Sequence, residues 1–149
     1  MLTETLIAFF DRDLNNLKTE ILSYTDENDL WLTSHDISNS AGNLSLHIVG
    51  NLNHFVGAVI GKTGYIRQRD LEFSQKHVPR EELIKQIDDT FEMLTSVISN
   101  LTVEQLDSEY PKQVFGKPMR TEYFLIHLCT HLTYHLGQIN YHRRLLIND

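Results

Sequence analysis

The stretch "NLSLHIVGNLNHFVGAVI", residues 43 to 60, is apolar on most sides of any helix drawn through it. An amphipathic surface helix needs only one apolar stripe, so a helix like this must be covered on more than one face. It is predicted as the second helix of the chain, running from about Asn43 to Ile60, with Gly61 and Gly64 marking its end. A buried helix of this kind requires several partner helices, and the rest of the sequence supplies them.

Leu2, Leu6, Phe9, Phe10, Leu14, Leu17, Ile21 and Leu22 recur at spacings of three and four, which predicts a first helix over residues 2 to 23. A third helix is expected from Arg80 to Asn100, led by Pro79, with Leu83, Ile87, Phe91, Leu94 and Ile98 as its stripe. A fourth is expected over residues 121 to 146, with Thr121 as its N-cap and Glu122 in its first turn. Residues 23 to 42 form a long polar connection containing Trp31, and residues 101 to 120, ending in "FGKP", read as irregular. The expectation is one all-α domain over residues 1–149, a four-helix bundle with long connections. Because helix two has more apolar faces than one partner layer needs, a homodimer using part of it is also expected.

Composition narrows the function classes. A net charge of −7 makes nucleic acid a poor partner, since phosphate contacts draw on clustered Lys and Arg. No apolar run approaches the roughly 20 residues of a membrane span, and the acidic "MLTETLIAFFDRDLNNL" does not read as a signal peptide. With Cys129 alone no intrachain disulfide can form. A cytoplasmic protein is expected. Neither a Gly-rich phosphate loop nor a Gly-x-Ser-x-Gly elbow is present, so nucleotide hydrolases and serine esterases lack support.

The chemistry is concentrated in "HLCTHLTYHLGQINYH", residues 127 to 142, with four histidines in sixteen positions. At about 100° per residue, His127, His131, His135, Gln138 and His142 fall on one face, shared with Phe124, Leu128, Leu132 and Ile139. Imidazoles taken out of water need hydrogen-bond partners or a metal ion, and several close together cannot all be charged. Two histidines at i and i+4 can ligate one ion, although such a pair is insufficient alone. Helix two offers His47 and His54, with Asn51 between them. Residue type leaves two readings of His47 open, a core histidine bonded to a carbonyl or a ligand; His54 reads as pocket lining. Cys129 lies roughly opposite the histidines and is a poor nucleophile candidate. Arg67, Arg69, Asp70 and Glu72, in "RQRDLEF", either close a pocket or form a salt-bridged cap joining helix two to the next segment, and the cap is favoured.

"HIVGNL" together with "HLCTHLTYHLGQI" resembles the DinB-like (YfiT-like) superfamily of metal-dependent enzymes, in particular a branch of unknown function carrying His-x-x-Gly-Asn-Leu. "ISNSAGNLSLHIVGNLNHF" and "GYIRQRDLEF" extend the likeness over most of the chain. The resemblance implies a four-helix bundle holding one divalent ion, nickel or zinc, through one histidine of the second helix and two of the last. Residue by residue these are His47, His131 and His135. Tyr134 and Leu136 depart from the superfamily pattern and are expected to alter pocket polarity. Asn51, His54, Gln138, His142 and His127 are candidates to support the ligands or line the pocket. Three neutral nitrogens leave coordination positions open, as in catalytic sites. A metal-dependent hydrolase, or a transferase using a low-molecular-weight thiol as the resemblance implies, is therefore expected to act on a small molecule. The competing expectation is a metal-binding stress or interaction protein without turnover.

Overall fold

The computed structural model describes residues 1–147, and it is all-helical. Helix α1 spans Leu2–Leu22 and is followed by a 3-10 turn, Glu27–Trp31. Helix α2 spans Ala41–Leu52 and is followed directly by a π-helical segment, Asn53–Ile60. Then come α3 (Arg69–Ser74), α4 (Arg80–Ser99), α5 (Val103–Asp107) and α6 (Thr121–Ile147). No strand occurs among the described residues, only an isolated bridge between Glu109 and Arg120. No helix among them is long and apolar enough to cross a membrane.

The four expected helices are present, and the differences from expectation have local causes. Helix α2 starts two residues early because Ser40 caps it, its hydroxyl accepting from the Asn43 N–H at 3.2 Å. Helix α6 begins at Thr121, which is therefore not the cap; its N–H donates to the Ser108 carbonyl at 2.8 Å. Residues 101 to 120 are not wholly irregular, since Thr102 and Gln105 form a capping box that starts α5. In α4 the stripe runs through Thr90 rather than Phe91. Thr90 is fully buried because its hydroxyl donates to the Gln86 carbonyl and accepts from the Asn53 amide of the α2 continuation, at 2.6 and 2.9 Å.

Helix α1 packs on α4 and α6, and α2 packs on the same two helices from the other side. Leu6, Phe10, Leu14, Leu17 and Ile21 of α1, all buried, meet Leu83, Ile87, Leu94 and Ile98 of α4 and Phe124, Leu128, Leu132 and Ile139 of α6 in one core. Each such side chain contributes on the order of 1.5–3 kcal/mol when fully buried. Helix α2 is further covered by α3 and the 3-10 turn, and all of Ala41–Leu52 is buried inside the single chain. For those residues the surplus of apolar faces is absorbed by the chain's own short elements.

Trp31 is a core anchor rather than a lid. It is buried, and a Cβ on Gly42 would lie 2.6 Å from its ring, so the start of α2 rests directly on the indole. Gly42→Ala is therefore expected to lower stability by roughly 1–3 kcal/mol through overpacking, measured as a shift of the urea midpoint.

Candidate metal centre

Three histidines from two helices converge on one point. His47 comes from the middle of α2, where every neighbouring residue is buried, and His131 and His135 from successive turns of α6. The Nε2 atoms of His47 and His131 are 3.3 Å apart, and those of His135 and His131 are 3.1 Å apart. Ligand-capable nitrogens of all three lie within 4.8 Å of one another. Two nitrogens each about 2.0–2.1 Å from a zinc-sized ion at a tetrahedral angle would sit about 3.3–3.4 Å apart, close to this spacing.

The outward ring nitrogens settle which inward nitrogens carry lone pairs. His47 Nδ1–H donates to Glu72 Oε1 at 3.0 Å, and His135 Nδ1–H donates to Gln138 Oε1 at 2.7 Å. In the neutral rings the Nε2 atoms of both are therefore bare acceptors, aimed at His131. Three imidazoles pooled in this way repel further protonation. Burial, then the proximity of His135, His47, His127 and Arg67, pushes His131 down to about 4. Burial also lowers His135, with the Gln138 hydrogen bond opposing the shift. A set of convergent imidazole nitrogens, two of them disfavouring a proton, fits a divalent cation.

The other candidates fall into distinct places. Gln138 supports His135, as described, and its amide also donates to the Tyr134 hydroxyl at 3.3 Å. His127 is stacked on Phe124 and meets Phe115 edge-on, its ring 6.1 Å from that of His131. His54 packs on Phe55 outside the cluster. It shares a face with His47, but seven residues are about 10 Å along a helix, too far for one ion. The same argument applies to His142, three turns beyond His131. Its Nδ1 accepts from the buried Tyr24 hydroxyl at 2.5 Å, and its Nε2–H donates to the Leu32 carbonyl at 2.8 Å. It thereby ties the connection after Trp31 to α6. Asn51 is buried one turn after His47, and its Oδ1 accepts from no protein group. Burial pushes the Cys129 thiol up to about 12, with Asp13 adding to the shift, in keeping with an inert cysteine.

The "RQRDLEF" segment is where sequence reasoning fell short. The favoured salt-bridged cap exists, because Arg67 donates to Glu72 from Nε and Nη2 at 2.8 and 2.9 Å. Yet the same Glu72 carboxylate holds His47, so it belongs to the centre rather than only to a cap. Burial raises the Glu72 carboxyl, but the His47 and Arg67 hydrogen bonds outweigh it and hold it below its ordinary value. Arg69 lies over the Phe73 ring, and Asp70 is an exposed acid in the first turn of α3. The signal for Glu72 was Gly50, an interior helix glycine with no turn to explain it.

A cavity of about 470 Å³ opens beside the cluster, bounded by His135, Gln138, Tyr134, Tyr141, His142 and Asn39. It carries aromatic and amide groups and is large enough for a small organic molecule. The arrangement is thus three convergent imidazole nitrogens with His135 at the edge of a cleft of mixed polar and apolar lining.

The chain belongs to a family of proteins of unknown function, DUF1572. The family model matches residues 4–149, so the match takes in all three histidines, Gly50 and Glu72. A comparison with curated proteins returns no match.

The depressed His131 sets a pH dependence. Without a bound ion, the folded ring stays neutral down to about pH 4, whereas the unfolded ring takes a proton near its ordinary 6.5. Between those values the unfolded state binds more protons, so stability is complete above about pH 6.5 and falls toward pH 4. The loss attributable to this ring is on the order of 2 kcal/mol. Urea unfolding of ion-free protein at pH 7 and 4.5 should show it, and His131→Ala should flatten that part of the slope.

Proposed function

We propose that this protein is a metal-dependent enzyme of the DinB/YfiT-like type, a four-helix bundle holding one divalent ion, nickel or zinc, on His47, His131 and His135. The observation that carries this reading is the convergence of three Nε2 atoms, with His135 also lining an open cavity. A closed structural site surrounds its ion with four protein ligands, whereas three leave a position for water or substrate. The reaction class that fits is hydrolysis, or transfer of a low-molecular-weight thiol to a small electrophile. The ion would supply Lewis acidity and lower the pKa of a bound water or thiol.

The protein's own groups have separate tasks in this reading. Gln138 would hold His135, and Glu72 His47, so that an ion could be met by their Nε2 lone pairs. Tyr134, Tyr141 and Asn39 line the approach past His135 and present rings, hydroxyls and an amide to a substrate. His142 holds the Leu32 carbonyl, and with it the start of the segment that forms the far wall of the cavity.

Elemental analysis of purified variants tests the ligand set. His47→Ala, His131→Ala and His135→Ala should each abolish stoichiometric binding, while His127→Ala, His54→Ala and His142→Ala should retain one ion per chain. Retention by the His47 variant together with loss in the His127 or His54 variant would overturn the assignment. Because an ion that binds only the folded state raises stability by mass action, a chelator should lower the melting temperature of the loaded protein. A screen of small thiols against electrophiles on that loaded protein tests turnover. Metal binding without turnover under any condition would favour a metal-binding stress or interaction protein.

A further inference from the structure

Helix α2 is enclosed on every side, so a group that reaches His47 must pass through close packing. Glu72 does so over Gly50. A Cβ built on Gly50 would lie 2.0 Å from Glu72 Oε2 and 2.6 Å from its carboxyl carbon, so the carboxylate occupies the space where any other residue would place its side chain. Gly50 follows His47 by three residues and is therefore its neighbour on the helix surface. An interior helix glycine weakens the helix relative to alanine. Here it admits an acid that is itself only 6% exposed.

Both Glu72 oxygens are engaged. Oε1 accepts from His47 Nδ1 and Arg67 Nη2, and Oε2 accepts from Arg67 Nε. The Arg67 guanidinium is placed in turn over the Phe55 ring, 5.7 Å from its centroid. The backbone that carries Glu72 is held as well. Asn43, near the start of α2, donates from its amide to the Glu72 and Gln75 carbonyls at 3.0 and 2.8 Å. Phe73 lays its ring against His47 with centroids 4.9 Å apart. Two residues of α2 on either side of His47, Asn43 and Gly50, thus seat the helix that follows, and that helix returns its carboxylate to the histidine between them.

An ion pair that only capped α3 would require neither a glycine on another helix nor contact with a histidine. Buried pairs contribute little net stability against apolar replacements, so stability alone does not account for the arrangement. Orientation of the imidazole does. On the reading that the three histidines hold a divalent ion, we propose that Glu72, admitted by Gly50 and steadied by Arg67, is the positioning residue for His47. It takes the Nδ1 hydrogen and turns Nε2 toward His131 and His135, making the segment after α2 part of the centre. A carboxylate on the outer nitrogen of a ligand histidine fixes its tautomer and raises its basicity as a donor.

Zinc affinity, measured by chelator competition at one pH, tests this in four variants checked for native helicity. Glu72→Ala should weaken zinc binding about 10–100-fold. Gly50→Ala should weaken it comparably, because its methyl group expels the carboxylate. In the Glu72→Ala background, Gly50→Ala should cost nothing further, since the group it displaces is gone. Glu72→Gln preserves volume and, should Glu72→Ala fail to fold, carries the test with an expected loss of about 10-fold. Long-range ¹H–¹⁵N spectra of the ion-free protein should show His47 protonated on Nδ1 in the wild type and as a tautomer mixture in Glu72→Ala. Wild-type zinc affinity in the folded Glu72 and Gly50 variants would overturn the proposal, as would independent, multiplying losses in the double variant. If the wild type binds no zinc, the metal reading falls, and the ion-free spectra still decide whether Glu72 sets the His47 tautomer.

Discussion

A histidine in the middle of a helix that is enclosed on all sides must satisfy both ring nitrogens without help from bulk water, and that requirement organises this protein. On the outer nitrogen of His47 it calls up a buried acid, which must be ionised to accept well and must then have its own charge met. On the inner nitrogen it calls up two more imidazoles from a helix far away in sequence. The glycine opposite the acid, the arginine beside it and the two carbonyls held by Asn43 all follow from those demands. The short helix α3, which looks like a connector between longer elements, is the part of the chain that delivers the charge.

The polarity of the cluster is set by what it lacks as much as by what it holds. The chain is acidic overall, with a net charge of −7, yet the three convergent rings have one carboxylate in contact, and that carboxylate is already matched by Arg67. A carboxylate facing His131 directly would favour its protonated form. Instead, burial and neighbouring imidazoles keep the ring neutral far below its ordinary range. A proton and a divalent cation compete for the same lone pairs, and the surroundings discriminate against the proton.

Much of this was legible in the sequence because the signals were periodic. Helices α1, α4 and α6 announce themselves by apolar spacing, and the i,i+4 pair in α6 needs only a helix wheel to bring His131 and His135 together. What periodicity could not supply was depth along an axis and partners across it. His54 and His142 share faces with members of the three-histidine cluster but stand two or more turns away from them. Thr90 is buried more deeply than Phe91, which packs at the edge of the core, because Asn53 reaches across from another helix, and no spacing within α4 encodes that bond. Glu72 was hidden for the same reason: its role depends on a contact across 25 positions with a ring whose need for an acceptor follows only from burial.

The π-helical turn that ends helix two, Asn53–Ile60, gives this arrangement a phase. Its wider winding, seen where the Gly61 N–H reaches back five residues to the Val56 carbonyl, turns less per residue than an α-helix and takes up about one residue more over the segment. Rewinding the same eight residues as ordinary helix would advance everything downstream by about 100°, whereas removing one of them at the same time would compensate. The three histidines would keep their places on α2 and α6, while the chain leading to Arg67 and Glu72 would leave the helix in a different direction. Winding in this stretch is therefore a variable separate from the identity of the histidines: two sequences of equal length between Leu52 and Gly61, one wound as π-helix and the other as α-helix, would not present the same outer support to His47.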